Sequence, residues 1–330
     1  MTRRVSRLIL VVLPLAIAAA ARPAEPPGPP GALQAAVEGA ARRLDGTIGV
    51  YAKHLRTGEE IAVDADRRFP TASVIKVAVM VEAFHQLAQG RLARDDRVRL
   101  DEAAKVGGTG VLRELDDGLE PTIGDLIRLM IVVSDNTATN LLLERVGTRH
   151  VNARMEAYGL RETKIFRPTF RDGRPDVLPE LEREFGLGMS TPREMARLME
   201  LIATGRAVSE AASREMLAIL DRQQDRQMIA RRLPLGRGVS VGNKTGADEE
   251  KRPGPDGVRR HLRADAAIVR AGDVRYVVAV FARQVADTSW GPDNAALVAG
   301  GEIGRLIFDA WVPARARPHA AAGQRRQPSR

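Results

Sequence analysis

The sequence of 330 residues contains no cysteine, which excludes a disulfide framework and a cysteine-ligated metal site. Its five histidines stand at no metal-ligand spacing. These histidines are His54, His85, His150, His261 and His319. We therefore predict that the protein holds no metal.

Aromatic residues are also scarce, at 4% of the chain, although the net charge is +9. Residues 1–21 hold three arginines and residues 314–330 hold five, with no acidic residue in either segment. The chain between these ends is nearly neutral and has no basic stripe interleaved with aromatics, so we expect no nucleic-acid partner. We predict that residues 314–330 form a disordered basic tail, with contact to acidic envelope polymers as the alternative.

The apolar run near the N-terminus is too short to span a membrane. It extends over 14 residues, 8–21, includes Pro14 and follows three arginines, whereas a spanning helix needs about 20 residues. We predict a signal peptide over residues 1–21 and an exported protein, periplasmic or secreted, without stable membrane insertion. A retained anchor is the alternative. Five prolines and two glycines then predict a stiff linker over residues 22–31.

The pattern of apolar residues predicts a helix, a β-hairpin, many helices, three strands and a last helix. Thr122 with Asp125, and Thr191 with Glu194, predict two helix starts. Strands on both sides of a helical insertion predict a discontinuous α/β domain (32–66 and 221–313) with an antiparallel sheet flanked by helices. They also predict an inserted all-α domain (67–220), with a cleft between the two.

Three short motifs carry the chemistry. Ser73-Val74-Ile75-Lys76 places a hydroxyl and an amine on one face of a helix start, but Ser-x-x-Lys occurs about once by chance in a chain of this length. Ser134-Asp135-Asn136 and Lys244-Thr245-Gly246 are rarer. A serine nucleophile needs an adjacent base, and a lysine serves when burial and a neighbouring cation such as Lys244 lower its pKa.

The three motifs, in this order and spacing, resemble those of the class A β-lactamases, penicillin-recognising serine hydrolases. The resemblance extends over roughly residues 33–312, for instance in the runs 69–73 and 134–143. It implies a β-lactamase/transpeptidase-like fold, a β-lactam or peptidoglycan-like substrate and no cofactor.

The resemblance also implies roles for individual residues. Ser73 is the acylated nucleophile, Lys76 takes its proton, and Ser134 protonates the leaving nitrogen. Asn136 binds the acyl amide side chain, while Lys244 and Thr245 bind the substrate carboxylate. The backbone N–H groups of Ser73 and Ala247 form the oxyanion hole, and Gly246 lets the substrate lie close. Arg263 resembles an arginine directed at the carboxylate, with an ordinary surface strand arginine as the alternative.

The resemblance breaks in the 161–190 loop. Family members carry Arg-x-Glu-Pro-x-Leu-Asn in this omega-shaped loop, and its glutamate activates the deacylating water. Aligning Pro179 and Leu181 with the pattern puts Leu178 at the glutamate position and Glu182 at the asparagine position, and no arginine–aspartate pair closing the loop is evident. Glu180 is the favoured substitute base, with three other loop carboxylates as candidates. These are Asp176, Glu182 and Glu184. Alternatively, all four are solvated surface groups.

The leading hypothesis is a monomeric serine β-lactamase that opens lactams through an acyl-enzyme on Ser73. The first alternative is a D-alanyl-D-alanine peptidase or esterase on the same fold. The second is a penicillin-binding sensor that is acylated once and does not turn over. Only turnover distinguishes the three, because all predict a labelled Ser73.

Overall fold

The computed structural model describes residues 31–236, 238–254 and 256–313. The predicted signal peptide (1–21), residues 22–30 of the predicted linker and the predicted basic tail (314–330) lie outside the described residues.

Within the described residues the chain forms nine α-helices, eight strands and several 3-10 turns. The helices are α1 Ala32–Arg42, α2 Lys76–Ala88, α3 Ile123–Val132, α4 Asn136–Val146, α5 Thr148–Ala157, α6 Pro179–Phe185, α7 Pro192–Ala203, α8 Glu210–Leu220 and α9 Ala295–Trp311. The strands are β1 Thr47–His54, β2 Glu60–Val63, β3 Phe69–Pro70, β4 Lys164–Ile165, β5 Gly188–Ser190, β6 Val239–Glu249, β7 His261–Ala271 and β8 Val274–Val285.

Five of these strands form one antiparallel sheet in the order β2-β1-β8-β7-β6. Strand β1 from the start of the chain pairs with β8 from its end, so the sheet joins two segments separated by all the helices from α2 to α8. The predicted fold class, an antiparallel sheet flanked by helices plus an inserted helical part, is confirmed.

Both faces of the sheet are buried, each against a different core. Successive strand residues point to opposite sides, so neighbouring residues of β8 enter different cores. Val278 and Val280 pack into a core with α1 and α9. Val277, Ala279 and Phe281 pack into the larger core that contains α2, α3 and α7. Strand β6 lies at the sheet edge and contacts the 3-10 turn Ala72–Ile75, which brings two of the motifs together.

Local sequence signals account for the helix starts that position the site. Thr122 and Asp125 form a reciprocal capping box at α3, and the Thr191 side chain accepts the Glu194 N–H at α7, which confirms both predicted starts. Helix α2 is buried on nearly all sides. Its position is therefore fixed by packing from every direction.

The structure also differs from the expected pattern. Ser73 lies in a 3-10 turn that precedes α2, and Lys76 is the first residue of that helix. A second sheet, in the order β3-β5-β4, was not expected, because strands of two or three residues carry no periodicity. No helix in the described ranges is long and apolar enough to cross a bilayer.

Candidate active site

A cleft of about 630 Å³ lies between the edge of the five-stranded sheet and the helical part. Six of the ten predicted site residues line it: Ser73, Ser134, Asn136, Thr245, Gly246 and Ala247. Lys76 and Lys244 lie behind these residues and are fully buried. The folded chain therefore brings together three motifs whose first residues are 61 and 110 positions apart in the sequence.

Lys76 is held by the second motif. Its Nζ donates to the Ser134 carbonyl (2.7 Å), to Asn136 Oδ1 (2.8 Å) and to Ser134 Oγ (3.2 Å). Burial and, after it, the positive charge of Lys244 hold the pKa of Lys76 well below its ordinary value, against the opposing charge of Asp135. An amine with a lowered pKa is available as a proton acceptor.

Backbone strain shapes the two serine turns. Ala72, the residue before Ser73, has a positive φ of 41°, and Ser134 has a positive φ of 57°. Non-glycine residues in this region cost about 1–3 kcal/mol and persist only where their surroundings hold them. The Ser134 carbonyl is held by Lys76 and by Thr109 Oγ1, at 2.7 Å each.

Asp135, the middle residue of the second motif, is a buried organiser that sequence reasoning left without a role. One carboxylate oxygen accepts the Ala138 N–H at the start of α4 (2.8 Å). The other accepts the N–H groups of Val111 (2.6 Å) and Leu112 (2.8 Å). Asp135 therefore fixes the loop preceding Val111 against the cleft. The sequence did carry a signal for this role, because aspartate is a preferred N-cap residue and Asp135 stands between two functional residues.

The third motif lies on β6, close to the Ser73 turn. A methyl group on Gly246 would lie 2.5 Å from the Thr71 carbonyl oxygen and 3.0 Å from the Ser73 nitrogen. Only glycine permits this approach of two backbones. Lys244 Nζ donates to the Thr245 carbonyl (2.6 Å), and burial lowers the pKa of Lys244 to about 8, against the charges of Asp225 and Asp265.

Arg263 lies on β7 behind this strand and is buried. Its guanidinium donates to the carbonyls of Leu262 (2.8 Å) and Ser289 (2.7 Å) and lies 4.5 Å from the ring centroid of Trp290. It lines a smaller pocket of about 400 Å³, which shares Thr245, Gly246 and Ala247 with the main cleft. Arg263 is therefore neither a surface strand arginine nor a residue of the main cleft.

The 161–190 loop is closed by an ion pair that the sequence did not reveal. Arg167 Nε donates to Glu182 Oε1 (2.8 Å), and both side chains are buried. Arg167 also pairs with Asp172. No arginine–aspartate pair that closes the loop was evident in the sequence, and in the structure the buried partner of Arg167 is a glutamate, Glu182. Glu182 is accordingly a structural residue.

The structure does not bring Glu180 or Leu178 to the cleft. The Glu180 side chain is 78% exposed and pairs with Arg183 (2.6 Å), while Leu178 caps the exposed start of α6. The preference for Glu180 as the base is therefore corrected. Glu180 lies on α6 and Leu178 directly precedes this helix, and neither residue lines the cleft.

Thr169 is the loop residue that lies against the second motif. The Thr169 backbone N–H donates to Asn140 Oδ1 (2.8 Å), and Asn140 Nδ2 donates to the Thr169 carbonyl (3.1 Å). Its hydroxyl bonds to Asn140 Oδ1 (2.9 Å) and to the Asn136 carbonyl (3.3 Å), and it lines the cleft. The run Arg167-Pro168-Thr169 has the arginine of the Arg-x-Glu pattern, but a threonine stands where that pattern has glutamate.

Residues 32–311 match the family described as the β-lactamase enzyme family. The chain belongs to this family. The resemblance predicted from the three motifs is confirmed, and β-lactamase family members are enzymes, so the expectation of a hydrolase is confirmed with it.

Individual relatives cover most of the chain. Beta-lactamase L2 of Stenotrophomonas maltophilia is 30% identical over 72% of this chain and 77% of its own. The β-lactamase of Sphaerobacter thermophilus has a solved structure with TM-score 0.71 and 34% identity, covering 84% of this chain and 96% of its own. A variant of PBP-A, solved as its acyl-enzyme complex with penicillin G, has TM-score 0.70 and 25% identity, covering 87% and 98%.

Proposed function

We propose that this β-lactamase family member opens β-lactams by forming an acyl-enzyme on Ser73. The observation that carries the proposal is the buried Lys76 amine, which is hydrogen-bonded to the Ser134–Asn136 turn and has a lowered pKa. Ser73 and Lys76 share one face of a helical turn. We assign to this amine the role of taking the hydroxyl proton when Ser73 attacks.

The bond changes are those of acyl transfer. Ser73 Oγ bonds to the lactam carbonyl carbon while its proton passes to Lys76 Nζ. The lactam C–N bond then breaks, and the nitrogen takes a proton from Ser134, which recovers one from Lys76. The 3.2 Å contact between Lys76 Nζ and Ser134 Oγ supports this relay.

The negative charge that develops on the carbonyl oxygen is stabilised by backbone donors. We assign these to the N–H groups of Ser73 and Ala247, which the close approach of Gly246 to the Ser73 turn brings to one side of the cleft. Losing one such donor costs about 3–4 kcal/mol of transition-state stabilisation in a serine hydrolase. In this proposal, the close approach at Gly246 positions the two donors that stabilise the transition state.

Substrate binding is divided between two ends of the cleft. Asn136 binds the acyl amide, and Thr245, with the charge of Lys244 behind it, binds the carboxylate. Arg263, beneath Trp290, adds positive charge at the carboxylate end. Its guanidinium already donates to two backbone carbonyls. Its contribution is electrostatic, without a direct hydrogen bond.

Hydrolysis of the acyl-enzyme is the slow step in this proposal. Thr169 offers a hydroxyl where a carboxylate would activate water. Asp172, the acidic residue of the 161–190 loop that lines the cleft, pairs with Lys251 (2.7 Å) and Arg167. Burial by itself raises the pKa of Asp172, but these two cations outweigh it and hold the pKa below its ordinary value, so the group is a poor base.

A second function, on the same site, is favoured by Thr169. A site that acylates readily and deacylates slowly suits a penicillin-binding protein, either a D-alanyl-D-alanine peptidase or esterase or a sensor that is acylated once. The similarity to PBP-A, whose variant was solved as an acyl-enzyme with penicillin G, supports this reading.

Intact mass of the protein, followed over time after addition of benzylpenicillin, tests both functions. We expect an adduct of the penicillin mass that persists for many minutes and is absent from Ser73→Ala. A short-lived adduct with accumulating product would show an efficient β-lactamase, and would contradict the assignment of slow hydrolysis. No adduct at all would overturn the proposal and direct the search to peptides and esters.

We further propose that the protein is exported, periplasmic or secreted, and monomeric, with a discontinuous α/β domain (32–66 and 221–313) around a helical domain (67–220). The separate packing of α1 and α9 on one sheet face and of the helical part on the other supports this division.

A further inference from the structure

Two aromatic side chains in this structure are exposed, and both line the cleft. Phe170 is 58% exposed and Trp290 is 59% exposed, whereas the other aromatic side chains are buried or half-buried. Single exposed apolar residues are common on protein surfaces, but apolar side chains gathered at a concave site are typical of ligand binding. The location of Phe170 and Trp290 in one cleft makes both candidates for contact with a substrate.

Phe170 lies beside Asn136, at the end of the cleft that takes the acyl side chain. A methyl group on Gly108 would lie 2.7 Å from one Phe170 ring carbon and 2.5 Å from Asn136 Nδ2. The ring and the amide therefore border the same small volume. Gly108 leaves the room that the ring occupies, since a side chain there would collide with the ring.

The Phe170 ring is held in place although it is exposed. The residue has φ 56°, a strained conformation for a phenylalanine. Thr169, directly before it, is bonded to Asn140 through two backbone contacts, and Arg167 and Asp172 on either side pair with each other. A strained, exposed and firmly supported aromatic residue has the properties of a binding platform.

Trp290 occupies the opposite end. One side of its indole is covered by the Arg263 guanidinium at 4.5 Å, and it borders both pockets beside Thr245 and Gly246. It accordingly belongs to the end of the cleft assigned to the carboxylate, a group that benzylpenicillin and 6-aminopenicillanic acid share. This separation lets the two aromatics be tested against each other.

We propose that Phe170 is a specificity-determining residue that stacks on an aromatic acyl side chain, so that the protein prefers arylacyl substrates. The inference rests on the proposed acylation of Ser73. Offset or edge-to-face aromatic pairs contribute beyond simple burial, by a factor of about 3 to 10 in rate or affinity. Asn136 holds the amide that precedes such a side chain, which places the aryl group over Phe170.

The test compares substrates with and without the side chain. Second-order acylation rates are measured for benzylpenicillin, which has a phenylacetyl group, and for 6-aminopenicillanic acid, which has none. The variants are Phe170→Ala, Phe170→Leu and Trp290→Ala, with Leu119→Ala as an exposed control outside the cleft. Thermal unfolding of each variant checks that it is folded.

We expect Phe170→Ala to lower the ratio of the two rates about 10-fold, with Phe170→Leu intermediate. Trp290→Ala alters both rates together, and Leu119→Ala leaves the ratio unchanged. A ratio in Phe170→Ala within twofold of the original protein overturns the inference, even if both rates fall.

The same comparison is made with the phenylacetyl and acetyl esters of p-nitrophenol. If neither β-lactam acylates the original protein, the proposed lactam substrate fails, and the ester pair still measures the aromatic preference. An ester ratio that does not depend on Phe170 then overturns the inference by itself.

Discussion

Lys76 and Lys244 are both fully buried, and the charge of Lys244 is the main cause, after burial itself, that lowers the pKa of Lys76. The two residues are 168 positions apart in the sequence. Burial in turn lowers the pKa of Lys244 to about 8. A lysine of the third motif thereby helps to lower the pKa of the lysine in the first, in addition to the effect of burial.

Replacing Lys244 by Gln should shift the pH dependence of acylation. Lys76 acts in its neutral form, so the acylation rate rises as pH passes upward through its pKa. Removing the neighbouring cation raises the pKa of Lys76, and the acid limb of the profile should move to higher pH. The measurement is the acylation rate with benzylpenicillin as a function of pH.

Lys251→Gln is the matched control for this shift. Lys251 also lines the cleft but is paired with Asp172 and does not perturb Lys76. Its removal should leave the midpoint of the acid limb in place. A midpoint that stays unchanged or falls in Lys244→Gln would contradict the electrostatic coupling of the two lysines.

Thr169→Glu should shorten the lifetime of the acyl-enzyme by at least about 10-fold, since a positioned general base contributes 10²–10⁴-fold when its geometry is favourable. The substitution puts a carboxylate at the loop position that lies against Asn136 and Asn140. Deacylation is followed by intact mass after excess penicillin has been removed.

Thr169→Gln separates the charge from the change of shape. It also loses the threonine hydroxyl bonds and has nearly the same volume as glutamate, but it cannot accept a proton from water. The two variants should acylate alike and differ in deacylation. Equal deacylation rates would show that water activation does not depend on this position.

Gly246→Ala should reduce the acylation rate at least about 100-fold, the loss that follows removal of one oxyanion donor. The new methyl group meets the Thr71 carbonyl at 2.5 Å and the Ser73 nitrogen at 3.0 Å, and backbone cannot rotate away as a side chain can. Acylation kinetics with benzylpenicillin give the measurement.

Gly242→Ala on the same strand is the comparison. There the methyl group meets side-chain atoms, with Asp221 Oδ1 at 2.9 Å and Leu217 Cδ1 at 3.1 Å. We expect a loss of stability and little change in acylation. If Gly246→Ala acylates within a few-fold of the original protein, the close approach of β6 has no role in the reaction.

Arg167→Leu should destabilise the protein by about 3–5 kcal/mol, because it leaves the Glu182 carboxylate buried without its partner. Arg183→Ala removes an exposed partner of Glu180 and should cost less than about 1 kcal/mol. Urea unfolding measures both free energies. Similar small costs for the two would mean that the Arg167–Glu182 pair does not hold the loop.

The sequence by itself determined the chemistry and most of the framework. Ser-x-x-Lys at a helix start puts Ser73 and Lys76 on one face whatever else the chain does, because that spacing follows from helical geometry. The caps at Thr122 and Thr191 are equally local. The apolar strand patterns were enough to find the five strands of the main sheet, since strands that are buried on both faces, such as β7 and β8, carry apolar residues at most positions.

Only the tertiary structure decided which loop residues face the cleft. The 161–190 loop has no periodicity to fix its register. Alignment by Pro179 and Leu181 put Leu178 at the glutamate position, and Glu180 was favoured as the substitute base, but both residues lie outside the cleft. The Arg167–Glu182 pair, the contact of Asn140 with Thr169 and the position of Arg263 beneath Trp290 join residues that are distant in sequence. Such contacts depend on how separate elements pack, and packing is not encoded in any local pattern.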